Sequence, residues 1–368
     1  MAEVARKCGV SRATVSSIIN GRNDFFGSES TRQRVLDAMH ALGYRPNLAA
    51  RTVASGRSAT VAMINTGMTS EVTNACFNAF EGCARKKGYM ALAGFNQEDP
   101  VSEDELLLWM HDRCVDAMLL VPTERAEGGG HDELRRLADS GFPIVTFDGW
   151  KRTGVHVDDV SVDHFVGGQL QAQHMLDTGR KRLAIASSSV SRWFVVNQRI
   201  AGAQSALKEA GLPPAIPMDL PTEVHTLADW SEADFERIRV WLREHRHQID
   251  GIICVGDTLG MAVMGLAMQV GISVPQELAV IGYNGLSMGN NPLLSLTSIY
   301  TPDADCGRAA FELIGDRLDG HRKGKDFKQI KLKPRLVVRG STAARSRGGV
   351  VGGRFAPAGA EVEQGSCE

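Results

Sequence analysis

The chain has 368 residues, of which 43% are hydrophobic, so it can hold more than one domain and bury a substantial core. Its formal net charge of −2 conceals an asymmetry, because residues 1–58 contain nine Arg and Lys against four Asp and Glu. The N-terminal segment is therefore basic and the rest of the chain acidic, which indicates a polyanionic partner for the N-terminal segment alone. This charge distribution excludes a protein that is basic throughout.

Cysteine usage and hydropathy narrow the class of protein further. The seven cysteines are scattered, and none has the Cys-x-x-Cys or mixed Cys and His spacing of a zinc site. We therefore expect reduced cysteines, with no metal and no cofactor. No apolar run approaches the roughly 18 residues that cross a bilayer, and no signal peptide precedes the basic segment. These observations predict a cytoplasmic protein.

The segment from Val4 to Asn20 predicts two short helices separated by a tight turn at Gly9, with Ser11 as the N-cap of the second helix. In that second helix the apolar residues are spaced to pack inward, and a small, polar and cationic face lies outward. The outward candidates for DNA contact are Arg12, Ala13, Thr14, Ser16, Ser17 and Asn20. Such a face fits a major groove about 12 Å wide, although an ordinary surface helix remains the alternative.

A third helix is predicted from Ser28, its N-cap, to Leu42, with Gly43 as the stop. The sequence Y-R-P-N-L-A-A-R-T-V-A-S-G-R-S follows at 44–58, directly before an apolar strand. Together with E-V-A-x-x-C-G-V-S-x-x-T-V-S-x-x-I-N at 3–20, this segment resembles the lactose repressor (LacI/GalR) family. That family reads D-V-A-x-x-A-G-V-S-x-x-T-V-S-x-x-L-N and ends in Y-x-P-N-x-x-A-R-x-L-x-x-G-R.

The resemblance implies a helix-turn-helix head over residues 1–45 and a DNA-contacting hinge helix or linker over 46–58. Within the head, residues 12, 13 and 17 occupy the positions that touch base edges in the family. Within the hinge, Asn47, Ala50 and Val53 are the candidate contacts, and Val53 stands where the family inserts a leucine into the minor groove. Only two residues precede Glu3, so we also expect the first helix to lack a side-chain N-cap. Either the natural start lies upstream, or the head is a divergent one that tolerates a short start.

Beyond Gly56 the pattern changes to alternating strands and helices, which predicts two doubly wound parallel sheets with helices on both faces. The predicted strands are Thr60–Asn65, Tyr89–Phe95, Ala117–Pro122, Pro143–Asp148, Arg182–Ser188, Gly251–Asp257 and Leu278–Tyr283. The predicted helices lie near 71–87, 102–112, 131–140, 162–178, 194–210, 231–246 and 258–270. The expected fold class is therefore α/β behind an all-α head.

Chain order alone would make two consecutive domains, whereas the resemblance implies a two-lobed core, similar to periplasmic sugar-binding proteins, over 59–342. In that arrangement the chain crosses between lobes three times. The first lobe is then 59–160 plus 292–322, and the second is 161–291 plus 323–342. Residues 303–319 would form a helix of the first lobe and 328–338 the last strand of the second. The Gly-, Ala- and Arg-rich tail at 343–368 is expected to be disordered.

Ligands of open α/β sheets bind beyond the carboxyl ends of the strands, so we predict a site in the cleft between the lobes. The candidates from strand ends are Asn65, Asn74, Asp148, Trp150, residues 188–191, Asp257 and Asn284. Segments 162–168 and 199–203 resemble the family motifs V-x-x-D-N-x-x-G-A and R-x-x-G-F, which implies ligand contacts for Asp163 and Arg199. A helix cap and a surface ion pair are the alternatives for these two, and His164 is interpreted as a polar residue at a helix start.

The predicted pocket departs from the family at two places. The family's N-D segment reads Gly256-Asp257 here, so its amide is absent, and its G-F/Y-D-D segment reads Gly282-Tyr283-Asn284-Gly285, so the acid at position 284 is an amide. A carboxylate is a strong acceptor for adjacent sugar hydroxyls, and loss of one makes the pocket less negative than the family pattern. A neutral sugar and a sugar acid therefore both remain open as the ligand.

These patterns predict a sequence-specific DNA-binding transcription regulator, a repressor that works as a homodimer. Its partners would be double-stranded operator DNA and a small sugar or sugar-acid effector that controls operator affinity. No motif such as G-x-S-x-G marks a nucleophile, and we expect no enzyme activity. The alternative is a sugar-binding or sugar-processing protein whose N-terminal helices serve only for assembly.

Overall fold

The computed structural model describes residues 1–19, 28–44, 52, 56–67, 71–125, 130–188, 193–220 and 230–343. The chain divides into two compact units, Met1–Ala59 and Thr60–Glu368. Most of the predicted hinge and nearly all of the predicted disordered tail lie outside the described residues, so both interpretations stay predictions. No helix in the described ranges is both long enough and apolar enough to cross a bilayer.

The N-terminal unit contains three helices, α1 (Ala2–Cys8), α2 (Arg12–Ile19) and α3 (Glu29–Ala41). The predicted turn and caps are present: Gly9 has φ 62°, Ser11 Oγ accepts from Thr14 N at 3.0 Å, and Ser28 Oγ accepts from Thr31 N at 3.3 Å. Helix α1 has no side-chain cap hydrogen bond at its start.

The three helices of the N-terminal unit share one small apolar core. Its buried members are Val4, Ala5, Val15, Ile18, Val35 and Ala38. Within each helix these positions lie one or three residues apart, so each helix turns one stripe inward. The predicted helix-turn-helix architecture is confirmed.

The first lobe of the second unit is a six-stranded, fully parallel sheet with the order β11-β5-β4-β3-β1-β2. Its strands are β1 (Thr60–Asn65), β2 (Met90–Phe95), β3 (Ala117–Leu120), β4 (Ile144–Phe147), β5 (Asp158–Val162) and β11 (Gln329–Leu332). Its helices are α4 (Glu71–Lys86), α5 (Pro100–Asp112), α6 (Asp132–Asp139), the short α7 (Trp150–Thr153) and α12 (Asp303–Leu318). Alternate residues of β1 enter two different apolar clusters, so both faces of the sheet are covered.

The second lobe is a six-stranded sheet with the order β12-β10-β9-β8-β6-β7, parallel except for the β10 and β12 pair. Its strands are β6 (Leu183–Ser188), β7 (Ile216–Leu220), β8 (Gly251–Cys254), β9 (Ala279–Asn284), β10 (Thr297–Tyr300) and β12 (Arg335–Val337). Its helices are α8 (His164–Asp177), α9 (Phe194–Glu209), α10 (Glu232–His245) and α11 (Asp257–Gln269). The predicted class, an all-α head with a two-lobed parallel-sheet core, is confirmed.

The predicted crossing points between the lobes need correction. Strand β10 pairs with β9, so the second lobe continues past 291 and the chain crosses after β10. The segment predicted as one last strand, 328–338, is two strands in different sheets: β11 pairs with β5 in the first lobe and β12 with β10 in the second. The predictions were wrong because hydrogen bonding to a strand distant in the sequence determines which sheet an edge strand joins. The local sequence pattern contains no information about that pairing.

Two glycines bring helices α8 and α9 into close contact and thereby place residues of the cleft. A Cβ added at Gly168 would lie 1.9 Å from the carbonyl oxygen of Arg199, and one added at Gly202 would lie 1.9 Å from that of Phe165. Only glycine permits such an approach of two backbones. The tight crossing holds Arg199, on α9, beside His164 at the start of α8.

Candidate functional site

A cavity of about 390 Å³ lies between the two lobes, where strands of both sheets end. Its wall includes residues that follow β1, β4 and β8, namely Thr66, Asp148 and Val255, and the last residue of β9, Asn284. The carboxyl edges of both parallel sheets therefore meet at this cavity, as the general rule for open α/β folds predicts.

His164 is the centre of a buried polar cluster in this cavity. Its Nε2 lies 3.1 Å from Asp148 Oδ2, and its Nδ1 lies 3.2 Å from the hydroxyl of Tyr283. Arg199 Nε donates to the same Nδ1 at 3.4 Å, so Nδ1 carries the lone pair and Nε2 the proton that is donated to Asp148. Burial lowers the pKa of His164, and the positive charge of Arg199 adds to that effect against the opposing attraction of Asp148.

Asp148 stays ionised in this setting. Burial disfavours its charge, but the hydrogen bond from His164, the backbone N–H of Val162, 3.0 Å from Oδ1, and the positive charge of Arg152 hold the pKa of Asp148 below its usual value. Asp148 has φ 54°, and Asn284 across the cavity has φ 102°. Left-handed backbone at non-glycine residues is uncommon and concentrates at ligand sites.

The guanidinium of Arg199 is fixed by two further contacts. Its Nη1 donates to the carbonyl of Val255 at 2.6 Å, and its carbon lies 3.9 Å from the centre of the Tyr283 ring. Arg199 is 9% exposed, and burial lowers its pKa from the usual value. A cation held in this way can donate to a ligand without reorganising first.

Asp303, the first residue of α12, supplies a second carboxyl group to the wall. Its Oδ2 accepts from the hydroxyl of Thr301 at 2.7 Å, whereas Oδ1 is buried with no hydrogen-bond partner among the described residues. Burial raises the pKa of Asp303 to about 7, against the lowering effect of the Thr301 hydrogen bond.

Two contacts at the cavity join the lobes. Glu71 of the first lobe accepts from the backbone N–H of Ser287 at 2.9 Å and from its hydroxyl at 3.0 Å. Glu124, also of the first lobe, accepts from Phe194 N at 2.8 Å, and its Oε1 lies 2.9 Å from Arg152 Nε. Each of these carboxylates holds a segment of the second lobe, so the relative position of the lobes depends on them.

The structure brings some of the predicted ligand residues together and leaves others apart. Arg199, Asn284 and Asp148 line the cavity, while Asn74 and Asp163 do not occur among its lining residues. Asp163 caps α8 by accepting from Val166 N at 3.2 Å, which is the alternative interpretation stated above.

The remaining predicted ligand residues have other positions. Asp257 is fully buried, and its carboxylate accepts from Ser298 Oγ and from Leu286 N, each at 2.6 Å, so it supports the loop behind the cavity. Asn65 turns back to accept from Gly67 N at 2.8 Å. Trp150 is the first residue of α7, and only the backbone of Trp150 is described. Residues 189–191 lie outside the described residues.

Sequence reasoning missed two members of the site. His164 was interpreted as a polar residue at a helix start, yet it forms the bridge between Asp148 and Tyr283. Asp303 was not singled out, because strand β10, which places it at the cavity, was not predicted. The signal that could have found it is the polar run Thr301-Pro302-Asp303 between an apolar strand and an amphipathic helix.

In the head, the outward face of α2 has the predicted composition. Arg12 and Ala13 are exposed, and Thr14, Ser16 and Ser17 are partly exposed. The hydroxyl of Thr14 lies 2.9 Å from that of Ser11, so Thr14 contributes to the helix start. Asn20, Asn47, Ala50 and Val53 lie outside the described residues.

Comparison with known proteins identifies both units. Residues 1–47 match the family described as bacterial regulatory proteins, lacI family, and residues 172–342 match the periplasmic binding protein-like domain. The chain carries a LacI-family DNA-binding domain and a periplasmic-binding-protein-like ligand-binding core. Its relatives are transcriptional repressors, so the prediction of a regulator rather than an enzyme is confirmed.

Relatives of this chain match nearly its whole length. The HTH-type transcriptional repressor PurR of Klebsiella pneumoniae (strain 342) is 26% identical over 344 residues, which cover 93% of this chain and 96% of the relative. PurR of Vibrio vulnificus (strain CMCP6) is 25% identical over 339 residues, with 92% and 96% covered.

Solved structures of the LacI family show the same fold. The Lac repressor dimer bound to operator and the anti-inducer ONPF has a TM-score of 0.77 at 19% identity, covering 93% of this chain and 98% of the other. The complex of the transcriptional regulator CelR with cellobiose has a TM-score of 0.65 at 24% identity, covering 92% and 98%.

Proposed function

We propose that this repressor releases or binds its operator in response to a sugar or sugar acid held between the two lobes of its core. The observation that carries the proposal is the cavity of about 390 Å³, whose wall combines a fixed guanidinium, Arg199, with an unpartnered carboxyl oxygen of Asp303. Sugars need both, because each hydroxyl can donate one hydrogen bond and accept others.

Two solved relatives support a sugar as the effector class. The CelR structure is a complex with cellobiose, and a periplasmic binding protein/LacI transcriptional regulator from Alkaliphilus metalliredigens QYMF is a complex with D-xylulofuranose. The second has a TM-score of 0.63 at 19% identity, covering 78% of this chain and 100% of the other. Both titles name a carbohydrate with a protein of this fold.

For DNA, we infer that two copies of the chain act as a homodimer in the cytoplasm and place two copies of α2 in successive major grooves of the operator. Arg12 would donate to a guanine, Ala13 would meet a thymine methyl group, and Ser17 would reach a neighbouring base edge. The hinge residue Val53 would act as a wedge in the minor groove, and it would be shallower than leucine.

Coupling between the two sites follows from the position of the cavity. An effector that contacts both lobes changes the angle between them, and that angle sets the separation of the paired hinges. The effector and the operator would then each bind one arrangement better than the other, which is the definition of allosteric coupling, typically about 1–3 kcal/mol.

The test is a thermal-shift screen of the full chain against neutral sugars, their sugar acids, and purine bases. A compound at 100 times its dissociation constant stabilises the folded chain by about 2.7 kcal/mol. Each hit is then added to a fluorescence-anisotropy titration with DNA from the region upstream of the gene. We expect a sugar or sugar acid to stabilise the core and to change operator affinity.

Arg199→Met and its matched surface control Arg243→Met localise the effect. Arg243, on α10, is exposed, pairs with Glu236 at 3.2 Å and is not among the residues that line the cavity. The Arg199 variant should lose the ligand-induced stabilisation, and the Arg243 variant should keep it. Stabilisation by purines alone, or by sugars equally in both variants, would disprove a sugar effector in this cavity.

A further inference from the structure

The charged groups around the cavity are mostly committed to partners within the protein. Asp148 is paired with His164, Glu71 holds Ser287, and Arg152 lies against Glu124. Such groups keep their geometry only while those contacts persist, so they shape the wall of the cavity. The specificity of the site depends on the groups with hydrogen-bonding capacity left over.

Asp303 has such capacity on its Oδ1. The residue is 6% exposed and lines the cavity, and one carboxyl oxygen is occupied by Thr301. The other oxygen is buried without a partner among the residues that the structure describes. A buried acceptor without a partner has lost its hydrogen bonds to water and has gained none within the protein. A hydrogen-bond donor on a bound molecule therefore supplies the missing interaction.

We propose that Asp303 selects an uncharged, hydroxyl-bearing effector: its Oδ1 accepts a hydrogen bond from a ligand hydroxyl, and its carboxyl group disfavours a ligand carboxylate. This inference rests on the sugar-effector function proposed above and decides between the neutral sugar and the sugar acid. Asp303 is thereby a specificity-determining residue at the wall contributed by α12.

The other charges of the wall support this assignment. A carboxylate ligand would meet Asp303, Asp148 and Glu71, with Glu98 also in the lining. An ammonium ligand would instead meet the buried guanidinium of Arg199 together with Arg152. A neutral polyol avoids both repulsions, because one hydroxyl donates to Asp303 while the oxygen of another accepts from Arg199.

The sequence departure at Asn284 acquires a different meaning in this arrangement. Loss of an acid at that position indicated a less negative pocket and raised the case for an anionic ligand. Asp303 returns a carboxyl group to the same cavity from the first lobe, since both residues line it. The acidic character of the site is therefore preserved by a residue in a different part of the chain.

The experiment compares the full chain with Asp303→Asn and the matched control Asp305→Asn. Both residues lie in the first turn of α12, so their effects on the helix terminus are alike, but Asp305 is exposed and pairs with Arg308. Calorimetric titrations, at a pH well above the pKa of about 7 of Asp303 so that its carboxyl group is ionised, use neutral sugars and their acids in pairs: glucose with glucuronate, galactose with galacturonate, and cellobiose with cellobionate. Unliganded melting curves verify that each variant is folded.

We expect the unchanged chain to bind a neutral member at least about tenfold more tightly than its acid partner. Asp303→Asn should weaken the neutral sugar by about tenfold and leave the acid equal or tighter, so that the preference disappears. Asp305→Asn should retain the preference of the unchanged chain.

Each other outcome decides against a specific statement. A preference of the unchanged chain for the acids refutes selection by Asp303 even if the variant fails to fold, and leaves a sugar-acid effector standing. An unaltered preference in Asp303→Asn also refutes the role of Asp303, with the sugar-effector function intact. Binding of no panel member to the unchanged chain refutes the sugar effector itself, and this inference with it.

Discussion

His164 at the start of α8 and Asp148 after β4 form a hydrogen bond of 3.1 Å that joins the second lobe to the first. The imidazole is buried, with Arg199 and Tyr283 on its other side. The neutral ring donates to Asp148 and accepts from Arg199, so each protein partner matches one nitrogen. Protonation would add a positive charge next to Arg199 in a buried position.

This arrangement predicts a pH dependence of folding stability. Because burial lowers the pKa of His164 below its unfolded value of 6.5, the unfolded chain binds more protons from about pH 6.5 downward. The stability that neutral His164 contributes is present above that pH and is lost as the pH falls through the folded pKa. We expect urea melts between pH 7.5 and 5 to show a smaller loss in His164→Asn.

The comparison of two curves isolates His164 from buried acids that act in the opposite direction. Burial raises the pKa of Asp303 to about 7 and that of Asp257 to about 6, so these groups favour the folded state at low pH in both proteins. His111→Asn, at a ring whose side chain is 46% exposed, is the control and should follow the unchanged chain. Parallel curves for His164→Asn and the unchanged chain would contradict the prediction.

The close contact of α8 and α9 predicts opposite outcomes for two glycine substitutions in helices. Gly168→Ala places a Cβ 1.9 Å from the carbonyl of Arg199, so the helices must separate, and we expect a loss of about 1–3 kcal/mol or more. Gly265→Ala on α11 meets nothing within 4 Å and should be neutral or stabilising by up to about 1 kcal/mol. Denaturant unfolding measures both, and equal effects would contradict the packing argument.

The exposed Arg12 at the start of α2 predicts a base-specific contact. Arg12→Ala should cost about 1–3 kcal/mol per half-site on operator DNA and relax the preference at one base pair. Arg34→Ala on α3 serves as a control for the loss of one positive charge. Anisotropy titrations with operator and random DNA make the distinction: an equal loss on both would show that Arg12 contacts only phosphate.

The contact between Glu71 and Ser287, which joins the two lobes, predicts an effect on effector affinity through the arrangement of the lobes. Glu71→Gln leaves the backbone N–H of Ser287 with a weaker acceptor, so the arrangement with both lobes around the ligand should lose about 0.5–1.5 kcal/mol. Glu81→Gln, on the same helix and paired with Arg85 at 3.0 Å, is the control. Effector titrations that show equal affinity in the two variants would exclude Glu71 as a contact that favours closure.

The head was predictable from the sequence because its determinants are local. The cap residues Ser11 and Ser28 act within three positions of themselves, and Gly9 supplies a turn between adjacent helices. The alternation of apolar runs and helical periods likewise determined two parallel sheets, since both faces of each strand must be covered. Asn284 could be placed at the cleft because it directly follows a predicted strand, and Arg199 because its segment resembles the family motif R-x-x-G-F; both line the cavity.

Only the tertiary structure determined to which lobe each edge strand belongs and which polar groups lie together in the cavity. Strand β5 begins with Asp158 and Asp159, and two acidic residues do not predict a buried strand. Asp158 can be buried because it pairs with Arg317 and with Arg322, the latter at 3.0 Å, both more than 150 positions away. His164 and Tyr283 are 119 positions apart. Spacing along the chain determines which residues share a helix face or a strand end. Pairing between distant strands determines which buried charges become neighbours. Asp303 lies at the cavity because β10, just before it in the chain, pairs with β9.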